Sequence, residues 1–395
     1  MDEFGMYDVI RVFDEGAVEH NLGKIRAATK AEIGAVVKAD AYGFGLARAL
    51  PVLMRLGVKS YFTQDIIEGV ETADILSGSQ ASVHVLAGVR DGQAGEFIGR
   101  GLIPVCISLE QLEYFNDAAK GADKKPRAAI HFDTGMNRTG LSPADAGILA
   151  AEWSARTANL DIVLYASHLP GPFDASDLKS NERQLGRFEH ILKILPRRPA
   201  SLASSRGVMK LDSRFHFDLA RVGGALFGGL AGFEPALSVY ARILQVRDVA
   251  EGGRIGYSGS YRAPRGMRIA IVNIGYKDGY SRGLSHANGW RDRIRGMLRS
   301  GAGFARSYMA VAGRKCPVVG AVSMNNAAID VSDVPEAELA RCGWVEVIGA
   351  RASVADFRSA NGYIPVELLV GLSRGNPNAV DFSAAEFEKK SFDFS

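Results

Sequence analysis

Three cysteines in 395 residues leave little room for sulfur chemistry. Cys106, Cys316 and Cys342 stand far apart, with no CxxC pair and no histidine at ligand spacing, which fits buried thiols better than a disulfide framework or a zinc site; no metal is expected. An excess of charge of one sign is also lacking. Lys and Arg number 47 against 44 Asp and Glu, a formal net charge of +3, too small for a bulk argument toward nucleic acid or an anionic membrane. No apolar run reaches the roughly 18 residues of a membrane span. The start, Met1-Asp2-Glu3-Phe4, is acidic where a secretory leader is basic. A cytoplasmic protein acting on small metabolites is the expectation.

What the chain does have is an ordinary globular composition, 47% hydrophobic and 23% charged, and enough length for two cores. Apolar β-rich segments recur at 33–38, 60–64, 82–87, 103–107, 127–132, 162–167, 199–203 and 217–222. Between most of them lie stretches with helical spacing, such as Leu109-Leu112-Phe115 and Leu185-Phe188-Ile191-Leu192-Leu195. Alternating strands and helices imply a parallel sheet, and eight units imply an α/β fold closed into a (β/α)8 barrel. An open doubly wound sheet is the alternative, because periodicity does not count strands securely. After Phe233 the texture changes to short β runs at 236–249, 267–274, 308–311, 317–322, 327–331 and 344–348, parted by Gly, Asp and Arg turns. The reading is a barrel over 14–232 and a mostly antiparallel β domain over 233–395, with the strand 7–13 joining the latter.

Polar signals cluster just past strand ends. Lys38 follows the first strand, Arg138 the fifth, His168 the sixth, and Ser204 and Ser205 the seventh. Barrel enzymes carry their catalytic groups on that C-terminal face. Burial lowers an amine's proton affinity, and a neutral amine condenses with an aldehyde. Lys38, delivered by the apolar run Ile33 to Val37, is placed for that chemistry, although a lysine reaching to solvent from a strand end is the commoner arrangement. Arg221-Val222-Gly223-Gly224 puts an arginine beside a glycine pair near the eighth strand, where barrels commonly bind phosphate.

Ala35-Val36-Val37-Lys38-Ala39-Asp40-Ala41-Tyr42-Gly43 resembles the cofactor-binding segment of the alanine racemase family, close to VVKADAYGHG, with Phe44 at the variable histidine. Arg221 to Gly228 resembles the family's RxGxxLYG, Asp133 to Gly140 its DTGMxRxG, Arg254 to Tyr261 its SYGxxY, Ile274 to Tyr280 its IGYADGY, and Gly320 to Asn325 its GRVCMD. The resemblance implies pyridoxal 5′-phosphate attached to Lys38 and held by Tyr42, His168, Ser204, Ser205, Arg221, Gly223 and Gly224. It implies a substrate site formed by Arg138, Met324 and Tyr276. It further implies racemization of a small amino acid, alanine by default, by two opposed bases, Lys38 and Tyr257. In the family, Tyr257 and Met324 equivalents reach the other subunit's site, so a homodimer with shared sites is expected.

Departures from the family pattern bear on the substrate. His131 stands where many members have a lysine that braces the arginine equivalent to Arg138; Ser204 replaces an Asn and Asn325 an Asp. The end Gly375-Asn376-Pro377-Asn378-Ala379-Val380 puts Val380 in place of a tyrosine of RVPRxY. A smaller residue there suggests a racemase of serine or a larger amino acid. A related barrel decarboxylase is the other enzymatic alternative, opposed by Ser323 where such enzymes carry a cysteine. A cofactor-binding protein without catalysis is a third, opposed by the length of chain after Phe233.

Overall fold

In the computed structural model, which describes residues 6–171, 175–280, 307–354, 357–359, 362–363, 365–374 and 379–389, the chain opens with β1 (Val9–Phe13). The acidic start at residues 1–4 and the departing segment 375–378 lie outside the described residues. Contacts divide the chain into two units. One takes in the described parts of Met1–Val18, Tyr42–Phe44 and Leu226–Ser395, the other Glu19–Ala41 and Gly45–Ala225.

The second of these units carries eight strands: β2 (Glu32–Val36), β3 (Ser60–Thr63), β4 (Ser82–Val85), β5 (Ile103–Cys106), β6 (Arg127–His131), β7 (Asp161–Ala166), β8 (Ala200–Ser201) and β9 (Leu219–Val222). They are parallel neighbours in the order β8-β7-β6-β5-β4-β3-β2-β9. The two ends of that order meet, because Asp218 N donates to Ala200 O at 3.1 Å and Arg221 N to Ala203 O at 3.0 Å. This closure is the barrel expected from the alternation, and it sets aside the open doubly wound sheet. The seventh strand is shorter than expected: only Ala200 and Ser201 lie in the ladder, and Ser204 already caps the helix Ser205–Lys210.

Local chemistry explains the helices between strands. Asp65 accepts from Ile67 N and Glu68 N at the start of Ile66–Ile75, Ser108 accepts from Gln111 N at Leu109–Ala118, and Ser142 with Asp145 makes a full capping box before Pro143–Ala151. Inside the barrel, Gly34 lets the Phe62 ring approach, since a Cβ there would meet it at 2.6 Å, and Phe62 in turn stacks on His84 at 4.5 Å.

The other unit is built on β1 and the strands after Leu226: β10 (Leu237–Val249), β11 (Arg254–Ile255), β12 (Tyr261–Arg262), β13 (Met267–Val272), β14 (Tyr308–Val311), β15 (Arg314–Val319), β16 (Ala327–Asp330), β17 (Trp344–Ile348), β18 (Arg358–Ser359), β19 (Gly362–Tyr363) and β20 (Val380–Ser383). Eight of them form one sheet in the order β13-β16-β15-β14-β17-β10-β1-β20, antiparallel except for the pair β1 and β20, with β13 also pairing β10. β15 starts at Arg314, earlier than hydropathy suggests, because Arg314 and Lys315 are both exposed. Val380 pairs with Ile10 and packs on the cluster of Ile10, Val12 and Trp344. Among the described residues no helix is long and apolar enough to cross a membrane, and the three cysteines are buried and free.

Candidate active site

The segment after β2 does something its sequence does not advertise. Ala39, Asp40, Ala41 and Tyr42 have φ of 55°, 56°, 54° and 57°, a left-handed turn with no glycine or asparagine in it. Such a conformation costs each residue about 1–2 kcal/mol, so surrounding bonds must hold it. Ala41 N donates to Val37 O at 2.7 Å and Gly45 N to Asp40 O at 2.9 Å. Leu46 N donates to Asp40 Oδ1 at 2.7 Å, and Ala39 N to Glu68 Oε1 at 2.7 Å. Lys38 stands at the head of this turn, half-buried, its Nζ 3.5 Å from Gln64 Oε1. Burial first, and the positive charge of Arg138 second, lower its proton affinity, while Glu68 opposes them. A larger share of the amine is therefore neutral and nucleophilic near neutral pH.

Arg221, at the end of β9, is buried and held on both arms. Nη1 donates to Ser201 O at 3.0 Å and Ser201 Oγ at 2.6 Å; Nη2 donates to Ser167 O at 2.5 Å and lies 3.4 Å from His168 Nδ1. Burial and Arg138 push its pKa down to about 10, so it remains a cation at neutral pH. His168 is pushed down to about 3 by burial, then by Arg221 and Arg138, and is neutral there. A guanidinium only donates, so His168 Nδ1 accepts and the ring proton belongs on Nε2. Sequence reasoning missed Ser167 and Ser201; their signal is a hydroxyl at the same end of two adjacent strands.

Arg138 lies in the turn after β6, exposed. Its backbone is what the structure fixes: Asp133 Oδ1 accepts from Gly135, Met136 and Asn137 N at 2.8, 2.9 and 3.1 Å, and Oδ2 from Arg138 N at 3.2 Å. Burial opposes ionisation of Asp133, but these N–H groups outweigh it and hold the carboxyl below its usual value of 3.8. His131, at the position of the family's bracing lysine, is buried with Nδ1 unpartnered, and burial, Arg221 and Arg138 push it down to about 3. A neutral imidazole offers Arg138 no counter-charge, and Asp133 fixes the main chain from which Arg138 projects. A group with a depressed folded pKa stabilises above its unfolded pKa and loses that contribution as pH falls through the folded value. Asp133→Asn is therefore expected to melt below the unsubstituted protein near neutral pH, with the gap closing in acid below about 3.8. Calorimetry across that range is the check; a gap independent of pH contradicts it.

Ser204 caps the helix Ser205–Lys210 from an extended conformation, and its hydroxyl makes no capping bond. Ser205 Oγ accepts from Gly223 N at 3.1 Å, tying this helix start to the loop that carries Gly223 and Gly224. The structure thus brings Lys38, Arg138, His168, Ser204, Ser205, Arg221, Gly223 and Gly224 to the C-terminal ends of the barrel strands. Positive charge dominates there. Arg138 lowers the proton affinity of both Lys38 and Arg221, and Lys38, Arg138 and Arg221 together lower that of His168. An anionic ligand relieves this mutual repulsion, so the donor set fits a phosphorylated group that is joined by a carboxylate substrate.

The remaining residues belong to the other unit. Tyr42 ends the left-handed turn, its ring 5.8 Å from that of Phe227. Tyr257 begins a tight turn after Gly256 and is 70% exposed. Gly256 packs so closely on the segment carrying Met324 that a Cβ would come 2.8 Å from Ala321 N. Tyr276 N donates to Ser323 O at 3.0 Å and Lys277 N to Met324 O at 3.1 Å. Three backbone segments are thereby joined, and Tyr257, Tyr276 and Met324 all carry exposed side chains. Asn325 is exposed beside Met324.

Residues 13–231 match the family model described as alanine racemase, N-terminal domain, and residues 236–380 that of the alanine racemase C-terminal domain. The alanine racemase of Rhizobium meliloti is 38% identical over 365 residues, 91% of each chain. The biosynthetic alanine racemase of Agrobacterium fabrum is 34% identical over 94% of this chain and 93% of its own length. Among solved structures, the Bartonella henselae alanine racemase with covalently bound pyridoxal phosphate aligns with a TM-score of 0.80 at 28% identity, covering 95% of this chain and 99% of that one. The biosynthetic alanine racemase of Pseudomonas aeruginosa gives the same score and identity over 96% and 100%.

Proposed function

The chain belongs to the alanine racemase family, and we propose that it interconverts L- and D-alanine using pyridoxal 5′-phosphate attached to Lys38. The observation that carries this reading is the gathering of Lys38, Arg138, Arg221 and neutral His168 at one end of the barrel strands. The cation set suits the phosphate, ring and substrate carboxylate of such a complex, and the Bartonella henselae relative holds that cofactor covalently. When bound, pyridoxal phosphate supplies an electron-poor ring that stabilises negative charge at an amino acid's α-carbon.

The chain's own residues divide the remaining work. Lys38, with its lowered proton affinity, is the attachment point and afterwards takes or returns the α-proton on the D side. The opposite side needs a second base, because one group cannot invert the centre without changing faces. Tyr257 of the partner subunit is that base in this reading. His168 would assist that phenol by presenting its Nε2–H, since Nδ1 is taken by Arg221. Arg221 would hold the ring nitrogen and, keeping its own proton, would not protonate it, which favours prompt return of a proton over other outcomes. The Arg138 fork would take the substrate carboxylate. Ser204, Ser205, Gly223 and Gly224, with Tyr42, would hold the phosphate.

The exposed trio Tyr257, Tyr276 and Met324 supports a head-to-tail homodimer in which each subunit completes its partner's site. A barrel over 14–232, a β domain over 233–395 with 7–13, a cytoplasmic location and no nucleic-acid or membrane partner belong to the same proposal. Alanine is preferred over larger amino acids because Val380 packs in an apolar cluster of its own unit, where its size answers to Ile10, Val12 and Trp344. Incubation with L-alanine, L-serine and L-leucine, followed by chiral chromatography, tests this. Alanine is expected to reach an equal mixture of enantiomers first; faster inversion of either other acid overturns the substrate assignment.

A further inference from the structure

Glu68 has the sequence position of a helix-capping residue and a different occupation. It lies three residues after Asp65, the D-x-x-E spacing of a capping box in which the glutamate turns back to the cap's own N–H. Asp65 caps as expected, Oδ1 accepting from Ile67 N at 3.0 Å and Glu68 N at 3.1 Å. The Glu68 carboxylate reaches further. Oε2 accepts from Gln64 N at 2.9 Å, and Oε1 accepts from Ala39 N at 2.7 Å, across 29 residues of chain.

Ala39 is the residue directly after Lys38 and the first of the four with positive φ. Gln64, tied by its main chain to one carboxylate oxygen, is also the residue whose Oε1 lies nearest the lysine amine, at 3.5 Å. One carboxylate therefore fixes both the backbone that aims Lys38 and the residue its amine meets.

We infer that Glu68 is a positioning residue for Lys38, its carboxylate locking the left-handed turn that directs the amine. The inference rests on the proposed role of Lys38 and adds to it a part that neither capping nor core packing explains. Charge follows from the same geometry. Arg138 and His168 face Lys38 from the segments after β6 and β7, and Glu68 is the carboxylate that opposes Arg138 at the amine. Removing the carboxylate leaves Arg138 unopposed, so the amine loses its proton at lower pH.

The test uses the full chain with Glu68→Ala and the nearly isosteric Glu68→Gln. Amide hydrogen exchange is read at Ala39 and Gln64, together with the pH dependence of pyridoxal 5′-phosphate capture on Lys38, fixed by borohydride and located by peptide mass spectrometry. In Glu68→Ala both amides are expected to exchange roughly ten- to a hundredfold faster, the worth of a hydrogen bond to a charged group. Glu68→Gln keeps one carbonyl acceptor and is expected to lose protection at one of the two. In both variants the capture profile moves to lower pH. Unchanged exchange at Ala39 in Glu68→Ala, or a lowered melting temperature with an unmoved capture profile in Glu68→Gln, overturns the inference. If the unsubstituted protein does not capture the cofactor on Lys38, the cofactor reading fails, and the exchange measurement alone decides for or against the clamp.

Discussion

Lys38→Ala is expected to abolish racemization, with a loss beyond the roughly 10²–10⁴-fold that one positioned acid or base contributes. Two functions disappear with the amine: the covalent attachment of the cofactor and the proton transfer on the D side. Burial and Arg138 lower the amine's proton affinity in the folded protein, so the loss falls on a nucleophile that the fold has prepared. Lys38→Arg separates the chemical role of the amine from its charge and packing, because guanidinium keeps the charge and cannot attach to an aldehyde. It is expected to be as inactive as the alanine variant while melting closer to the unsubstituted protein. Chiral chromatography of alanine at saturating cofactor is the measurement, and activity within tenfold of the unsubstituted protein in either variant contradicts the role of Lys38.

Tyr257→Phe is expected to lower inversion by about 10²–10⁴-fold while leaving cofactor capture on Lys38 unchanged. Its ring is 70% exposed in the chain, so removing the hydroxyl disturbs little packing. The residual chemistry is asymmetric. In heavy water, Lys38 still exchanges the α-hydrogen of D-alanine without inverting it, whereas exchange from L-alanine is lost with its base. A second consequence concerns where the tyrosine acts. Mixing Lys38→Ala with Tyr257→Phe subunits, each inactive alone, regenerates about a quarter of intact sites if each site draws its tyrosine from the partner. No recovery after subunit exchange places Tyr257 on the same chain's site.

The barrel is legible in the sequence because its strands are buried on both faces and read as separate apolar runs, so Ile103 to Cys106 and Arg127 to His131 stand out between helical stretches. The site is legible as far as its side chains follow strand ends. What holds those side chains is not. Apart from Asp40, the turn at Ala39 to Tyr42 contains none of the residues that favour positive φ, and the carboxylate that stabilises it lies at Glu68, far along the chain. Tertiary bonds override local preference there, and the D-x-x-E spacing at Asp65 reads as a cap because sequence does not show which N–H a glutamate will find. Ser167 and Ser201 are silent for the same reason, since their meaning depends on β7 and β8 ending beside Arg221. The polar start of β15 is hidden by exposure, as Arg314 and Lys315 depress its hydropathy.

The role of two opposed bases is tested most directly by the first turnovers of the unsubstituted protein with L-alanine, and separately with D-alanine, in heavy water. Each base exchanges its proton with solvent, and the base that delivers is not the one that removed. The two-base reading predicts deuterium at the α-carbon of the inverted product from the earliest time. Inverted alanine that retains its original α-hydrogen would contradict it, because a single group would then have carried that hydrogen from one face to the other.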